Sequence, residues 1–271
     1  MNRAIVIVPT YNEKENIEAL IRSVFSLPVP FHLVIVDDNS PDNTAGIVEE
    51  LQKEFPSRLF LERRKGKLGL GTAYIHGFKY ALRNHYDFIC EMDADFSHNP
   101  KDLVKLYNAC LAGNDLAIGS RYVKGITVIN WPIGRLLMSY FASVYVRWVT
   151  GMPVMDTTAG FKCYRREVLE TLNLDSVKFK GYAFQIKMKF LTHKFGFRIA
   201  EVPVIFKDRT KGKSKMSGSI FKEALFGVVG MKLESFFTNF KRKKTLNSYQ
   251  AEVSDLELNG EVMVDELDFA N

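Results

Sequence analysis

The chain of 271 residues is long enough for one large domain or two small ones, and its 46% hydrophobic and 25% charged residues exclude a disordered or collagen-like protein. Its formal charge of +6 is unevenly spread: residues 246–271 hold seven acids and no Lys or Arg, leaving 37 basic against 24 acidic side chains elsewhere. Such a body attracts phosphates, whether of nucleotides, nucleic acid or anionic lipid, while the acidic end reads as a solvated, flexible tail.

In chain order, apolar runs at Arg3–Val8, His32–Val36, Leu59–Glu62, Asp87–Glu91 and Asp115–Gly119 predict five strands. They alternate with helical patterns, the signature of an α/β sheet. Ile17, Leu20, Ile21 and Val24 recur at helical spacing, with Asn12 the expected N-cap and Glu13 and Glu15 in the first turn. Ile47, Val48, Leu51 and Phe55 mark a second helix, Gly69 and Gly71 open a third, and Asn99-Pro100 starts a fourth.

The second half is less regular. Trp131–Thr150 is apolar and aromatic apart from Arg135 and Arg147, and Ser217–Phe240 mixes Lys222, Glu223, Lys232 and Glu234 into an apolar pattern. Both are expected to be amphipathic helices lying in a membrane interface, with packing against a protein partner or the chain's own sheet as the alternative. The Lys241–Lys244 cluster would add attraction to an anionic surface. The expected organisation is a body over 1–216, an interface helix over 217–245 and an acidic tail over 246–271. Cys90, Cys110 and Cys163 have no metal-finger spacing, and the chain opens on a strand without a charged leader. A cytoplasmic, reduced setting at the membrane face is therefore expected, and secretion is not.

Acidic loops follow three strands: Pro9-Thr10-Tyr11-Asn12-Glu13, Asp37-Asp38-Asn39-Ser40-Pro41-Asp42 and Asp93-Ala94-Asp95. Asp and Asn suit turns, but ligands of open α/β sheets bind beyond the carboxyl ends of strands, where these loops would converge. Two hard carboxylates in Asp93-Ala94-Asp95 suit Mg²⁺ or Mn²⁺ completed by water and a diphosphate. Neither GxxxxGK[ST] nor GxGxxG occurs, which argues against P-loop and dinucleotide readings. His76 and His98 read as a helix residue and a loop or cap residue beside the site.

These loops, with Lys67-Leu68-Gly69-Leu70-Gly71-Thr72-Ala73, Gly119-Ser120-Arg121-Tyr122, Asp156-Thr157-Thr158-Ala159-Gly160-Phe161, Gly181-Tyr182-Ala183-Phe184-Gln185 and the 209–215 stretch, resemble family 2 glycosyltransferases. Within that family the order is similar to the polyprenyl- and dolichyl-phosphate mannose synthases, over roughly residues 3–240. The resemblance implies a GT-A, Rossmann-like, mostly parallel sheet flanked by helices. It implies transfer of mannose from GDP-mannose to a polyprenyl or dolichyl monophosphate with inversion. Pro9, Tyr11, Glu13, Val36 and Asp38 would hold the nucleoside. Asp93 and Asp95 would bind Mg²⁺ or Mn²⁺, with Ala94 beside the nucleotide and Ser97 where relatives often carry Gln. Arg121, Arg209 and Lys215 would surround the phosphates, and Gln185 and Lys187 receive no catalytic role.

A lipid monophosphate, with a second pKa near ~6, needs no general base. Arg121 and Arg135 are the expected clamps for it, with Ser139 one helical turn beyond Arg135. Glucosyl transfer from a UDP-sugar would keep most of these motifs. A basic lipid- or nucleic-acid-binding module without catalysis would not need the acidic residues, so no nucleic acid partner is expected.

Overall fold

The computed structural model describes residues 3–179, 181–208 and 218–242, with backbone alone for 218–224. The strands are Ala4–Thr10 (β1), His32–Asp37 (β2), Leu59–Arg63 (β3), Phe88–Glu91 (β4), Leu116–Ser120 (β5), Val128–Ile129 (β6), Lys162–Arg165 (β7), Ile199–Pro203 (β8) and Phe206–Lys207 (β9). The helices are Ile17–Phe25 (α1), Thr44–Glu54 (α2), Leu70–Arg83 (α3), Asp102–Leu111 (α4), Ile133–Thr150 (α5), Arg166–Thr171 (α6), Tyr182–Lys194 (α7) and Gly218–Phe237 (α8). Among the described residues, seven strands form one sheet in the order β3-β2-β1-β4-β7-β5-β8, and β6 pairs with β9. The pairs β3-β2, β2-β1, β1-β4 and β5-β8 are parallel; β7 runs antiparallel between β4 and β5.

Successive strand residues point to opposite sheet faces, and each face has its own apolar layer. Ile5, Ile7, Val34 and Val36 join α3, α6 and α7, whereas Ala4, Val6, Val8, Leu33 and Ile35 join α1, α2 and α4. Coverage of both faces is why these strands read as unbroken apolar runs. Gly77 lets α3 close on β1, since a Cβ there would lie 2.4 Å from Ile7 Cγ2.

The five expected strands are present, with β1 running on to Thr10 and β2 to Asp37. The polar extension is satisfied internally, Thr10 Oγ1 donating to the buried Asp37 carboxylate at 2.8 Å. The expected Asn12 cap is corrected: α1 begins at Ile17 behind Asn16, and Asn12 takes a left-handed φ of 56°. The backbone N–H groups of Asn12, Glu13 and Lys14 are committed to Ser40, Thr44 and Asp42, which delays the helix and ties the first loop to the second.

The packing alternative for the late helices holds for part of each of them. Val146 of α5 and Val228 and Met231 of α8 are buried, and Tyr145 Oη donates to the Leu225 carbonyl at 2.9 Å, so the two helices pack together. Ile133, Leu137, Met138, Phe141 and Trp148 of α5 and Phe226, Leu233, Phe236 and Phe237 of α8 remain exposed. Met1–Phe240 is one compact unit, and no described helix is long and apolar enough to cross a membrane.

Candidate active site

The loops after β1, β2 and β3 are joined by hydrogen bonds. Asp38 N–H donates to the Thr10 carbonyl at 3.0 Å and Arg64 N–H to the Asp37 carbonyl at 2.8 Å. Asp37 also accepts from Ser40 Oγ and N–H, which shapes the second loop. Beside it the buried Asp38 carboxylate meets Arg64 Nε at 3.2 Å. Burial raises the Asp38 carboxyl above its ordinary range, and Arg64 opposes that shift. Arg64 is further held by Thr72 Oγ1 at 2.8 Å, and Lys67 Nζ lies 5.1 Å from the Tyr11 ring centroid. Tyr11, Asp38, Arg64 and Lys67 thus form one polar and aromatic cluster beyond β1, β2 and β3. The Val36 side chain is wholly buried in the core below this cluster's strand ends.

Asp93 accepts from Tyr74 Oη at 3.0 Å, and Asp95 Oδ1 accepts from the Ser97 N–H at 3.0 Å. Ala94, Asp95 and Ser97 are buried. Ser97 therefore meets Asp95 through its backbone. Among the described residues no group of three or more His, Cys, Asp or Glu side chains is arranged to hold a metal. Two oxygen donors with the rest of the shell left to water and phosphate fit Mg²⁺ or Mn²⁺, and would not make a closed structural site. Of the two readings of His98 the loop position holds and the cap does not: it lies buried in the loop after β4, stacks on Phe161 at 4.7 Å and meets Phe206 edge-on at 4.9 Å. Burial, with the Arg121 charge adding to it, brings its pKa down to about 4. Asn99, not His98, receives the Lys101 N–H at the start of the following helix.

The expected acceptor residues Arg121, Arg135 and Ser139 come together around Trp131 and Tyr122. Arg121 follows β5, buried, and its Nε and Nη2 donate to the two oxygens of Asp156 at 2.6 Å each. Nη2 also donates to Thr158 Oγ1 at 2.8 Å. Burial pushes the Asp156 carboxyl up, but the Arg121 charge and hydrogen bonds outweigh it and leave it below its usual range. The guanidinium of Arg121 is thus charge-balanced and held in orientation by Asp156 and Thr158. Arg135 Nη1 donates to Asp208 at 2.8 Å, with both groups partly exposed. Trp131 links the two guanidinium groups, and Ser139 Oγ accepts from Tyr122 Oη at 2.8 Å. Arg209 and Lys215 lie outside the described residues.

A buried polar network under the site had no counterpart in the sequence reading. Glu91, which ends β4, pairs with Lys162 at 3.0 Å, and Gln185 of α7 donates to Glu91 at 3.1 Å while accepting from Lys162. Lys187 pairs with Glu234 of α8 at 2.5 Å, which accounts for a base at that position by packing. The signal for Gln185 was a polar side chain on a helix otherwise rich in apolar residues.

Residues 5–172 match the family described as Glycosyl transferase family 2. The chain is similar to a polyprenol monophosphomannose synthase of Mycolicibacterium smegmatis, at 47% identity over 226 residues covering 83% of this chain and 85% of that protein. It is 42% identical to an undecaprenyl-phosphate mannosyltransferase of Micrococcus luteus, covering 83% and 92% of the two chains. Among solved structures, glucosyl-3-phosphoglycerate synthase of Mycobacterium tuberculosis with Mn²⁺, UDP-glucose and phosphoglyceric acid gives a TM-score of 0.63. It is 18% identical and covers 85% of this chain and 80% of that one, a likeness of fold alone. With its mostly parallel GT-A sheet and this extent of sequence agreement, the chain belongs to glycosyltransferase family 2.

Proposed function

We propose that this glycosyltransferase moves mannose from GDP-mannose to the phosphate of a polyprenyl or dolichyl-type monophosphate, with inversion and release of GDP. The observation that carries this reading is the convergence of Arg121 and Arg135 on Trp131, at the start of a helix whose outer side chains are apolar. A phosphate on an apolar tail matches that combination. The names of the relatives support the same acceptor class and the same sugar.

In this account Pro9, Tyr11, Glu13 and Asp38 hold the nucleoside, Arg64 and Lys67 border it, and Arg209 and Lys215 are further contacts for phosphate. Asp93 and Asp95 hold Mg²⁺ or Mn²⁺, which when bound neutralises charge on the departing diphosphate. Arg121 and Arg135 receive the acceptor phosphate, screen its repulsion from the donor and align it. An oxygen of the acceptor phosphate bonds to the anomeric carbon as the bond from that carbon to GDP breaks. No proton has to be removed, because the attacking oxygen is already anionic. The exposed side chains of α5 and α8 hold the enzyme peripherally on the cytoplasmic face of an anionic membrane, where the acceptor resides.

A donor panel tests this reading. Purified protein with polyprenyl phosphate should release GDP from GDP-mannose far faster than UDP from UDP-glucose. Preference for UDP-glucose would replace the mannosyl reading with glucosyl transfer, and release from neither would leave the non-catalytic module.

A further inference from the structure

We infer that Lys189 and Glu201 are positioning residues that hold the 155–159 turn so that Asp156 and Thr158 set the Arg121 guanidinium for the acceptor phosphate. This rests on the acceptor role proposed above for Arg121. The turn is gripped from two elements with opposite chemistry. From α7, the wholly buried Lys189 Nζ donates to the carbonyls of Thr157 at 2.9 Å and Ala159 at 2.6 Å. From β8, the Glu201 carboxylate accepts from the backbone N–H of Met155 at 2.6 Å and of Asp156 at 2.9 Å. The side chains of Asp156 and Thr158, left free of these backbone contacts, both meet Arg121.

A bidentate guanidinium–carboxylate pair fixes direction as well as charge, so a shift of the turn re-aims Arg121. Burial pulls Lys189 well below the ordinary lysine range, yet as amine or ammonium it keeps the two N–H donors the carbonyls need. An apolar side chain there would leave both carbonyls without that donor.

The test is a double-mutant cycle on transfer from GDP-mannose to polyprenyl phosphate, with GDP binding and thermal unfolding measured on each variant. Lys189→Met should lower kcat/KM for the acceptor by about tenfold or more while GDP affinity stays within about twofold. Arg121→Lys keeps the charge but loses the fork, and should itself impair acceptor use. In the Arg121→Lys background, Lys189→Met should change kcat/KM by less than about twofold, because the group it positions is gone. Glu201→Gln, at a partly exposed residue, should repeat this pattern and decides the matter should Lys189→Met not fold. Full multiplication of the two losses, or parallel loss of GDP binding, overturns the inference while leaving the Arg121 role intact. An Arg121→Lys variant with unchanged acceptor kinetics overturns both.

Discussion

Arg121 and Arg135 lie against the same indole: their Cζ atoms are 5.3 and 4.3 Å from the Trp131 ring centroid. Two like charges can share that ring because each is balanced, Arg121 by buried Asp156 and Arg135 by partly exposed Asp208. The two pairs differ in how firmly they hold. Breaking the buried pair leaves an uncompensated charge, whereas the partly exposed one is worth at most about 1 kcal/mol. In the proposed acceptor role, an arriving phosphate would draw Arg135 from Asp208 more readily than Arg121 from Asp156.

Arg135→Ala should accordingly keep the fold and donor binding while raising the KM for polyprenyl phosphate by about tenfold or more. Steady-state kinetics with each substrate varied in turn check this. Loss of GDP-mannose binding with unchanged acceptor kinetics would contradict it.

Asp95→Asn should leave the loop intact, because an amide oxygen can still accept the Ser97 N–H. It should cut turnover by about 100-fold or more, since a neutral amide is a poor ligand for Mg²⁺. Turnover at several Mg²⁺ and Mn²⁺ concentrations gives the answer. Near-normal, metal-dependent activity would remove Asp95 from the ligand set.

His98 makes stability depend on pH. Its folded pKa, lowered to about 4 by burial, lies below the ordinary value of 6.5. The unfolded chain therefore binds the extra proton first, and stability present above pH 6.5 is lost as pH falls towards 4, by up to about 3 kcal/mol. Denaturant unfolding between pH 4 and 7 should show this slope, and His98→Phe should flatten it. An unchanged slope in the variant would assign the acid sensitivity to other groups.

Much of this architecture can be read from residue order, and the exceptions have physical causes. The first four parallel strands stand out because both sheet faces are covered, so Ile5–Val8 and Leu33–Val36 have no polar alternation. β7 escaped because Lys162 and Arg165 interrupt its apolar character; Lys162 is tolerated through Glu91, 71 positions away in a different strand, and Gln185 of α7. The Asn12 misreading has the same origin, since its backbone is claimed by Ser40 of the second loop. The residues of the DxD loop and of the arginine pair were legible as motifs. The pairing of the arginines with Asp156 and Asp208, and the grip of Lys189 on the Thr157 and Ala159 carbonyls, depend on contacts between distant segments, which spacing along the chain does not report.

Membrane attachment should follow from side chains and not from removal of a segment. Deleting 217–245 would strip Val228 and Met231 from the core, so loss of binding in that variant would be uninformative. Phe141→Asp with Phe236→Asp changes two exposed aromatics, 61% and 70% accessible, with little expected effect on folding. Each buried phenyl group is worth about 1.5–3 kcal/mol, so sedimentation with anionic vesicles should fall by about 100-fold or more, and added salt should weaken binding by the parent chain. Unchanged vesicle binding in the double variant would place the membrane contact elsewhere.

The central claim is that the chain joins mannose to an acceptor that arrives already ionised, and one comparison of acceptors tests it. The enzyme is supplied with GDP-mannose, Mg²⁺ and either polyprenyl phosphate or the corresponding polyprenyl alcohol, and the lipid product is identified by mass and by its anomeric configuration. The account predicts a β-linked mannosyl phosphate from the first acceptor, formed together with one equivalent of GDP, and no transfer to the second. Equal transfer to the alcohol, or an α-linked product, would contradict it.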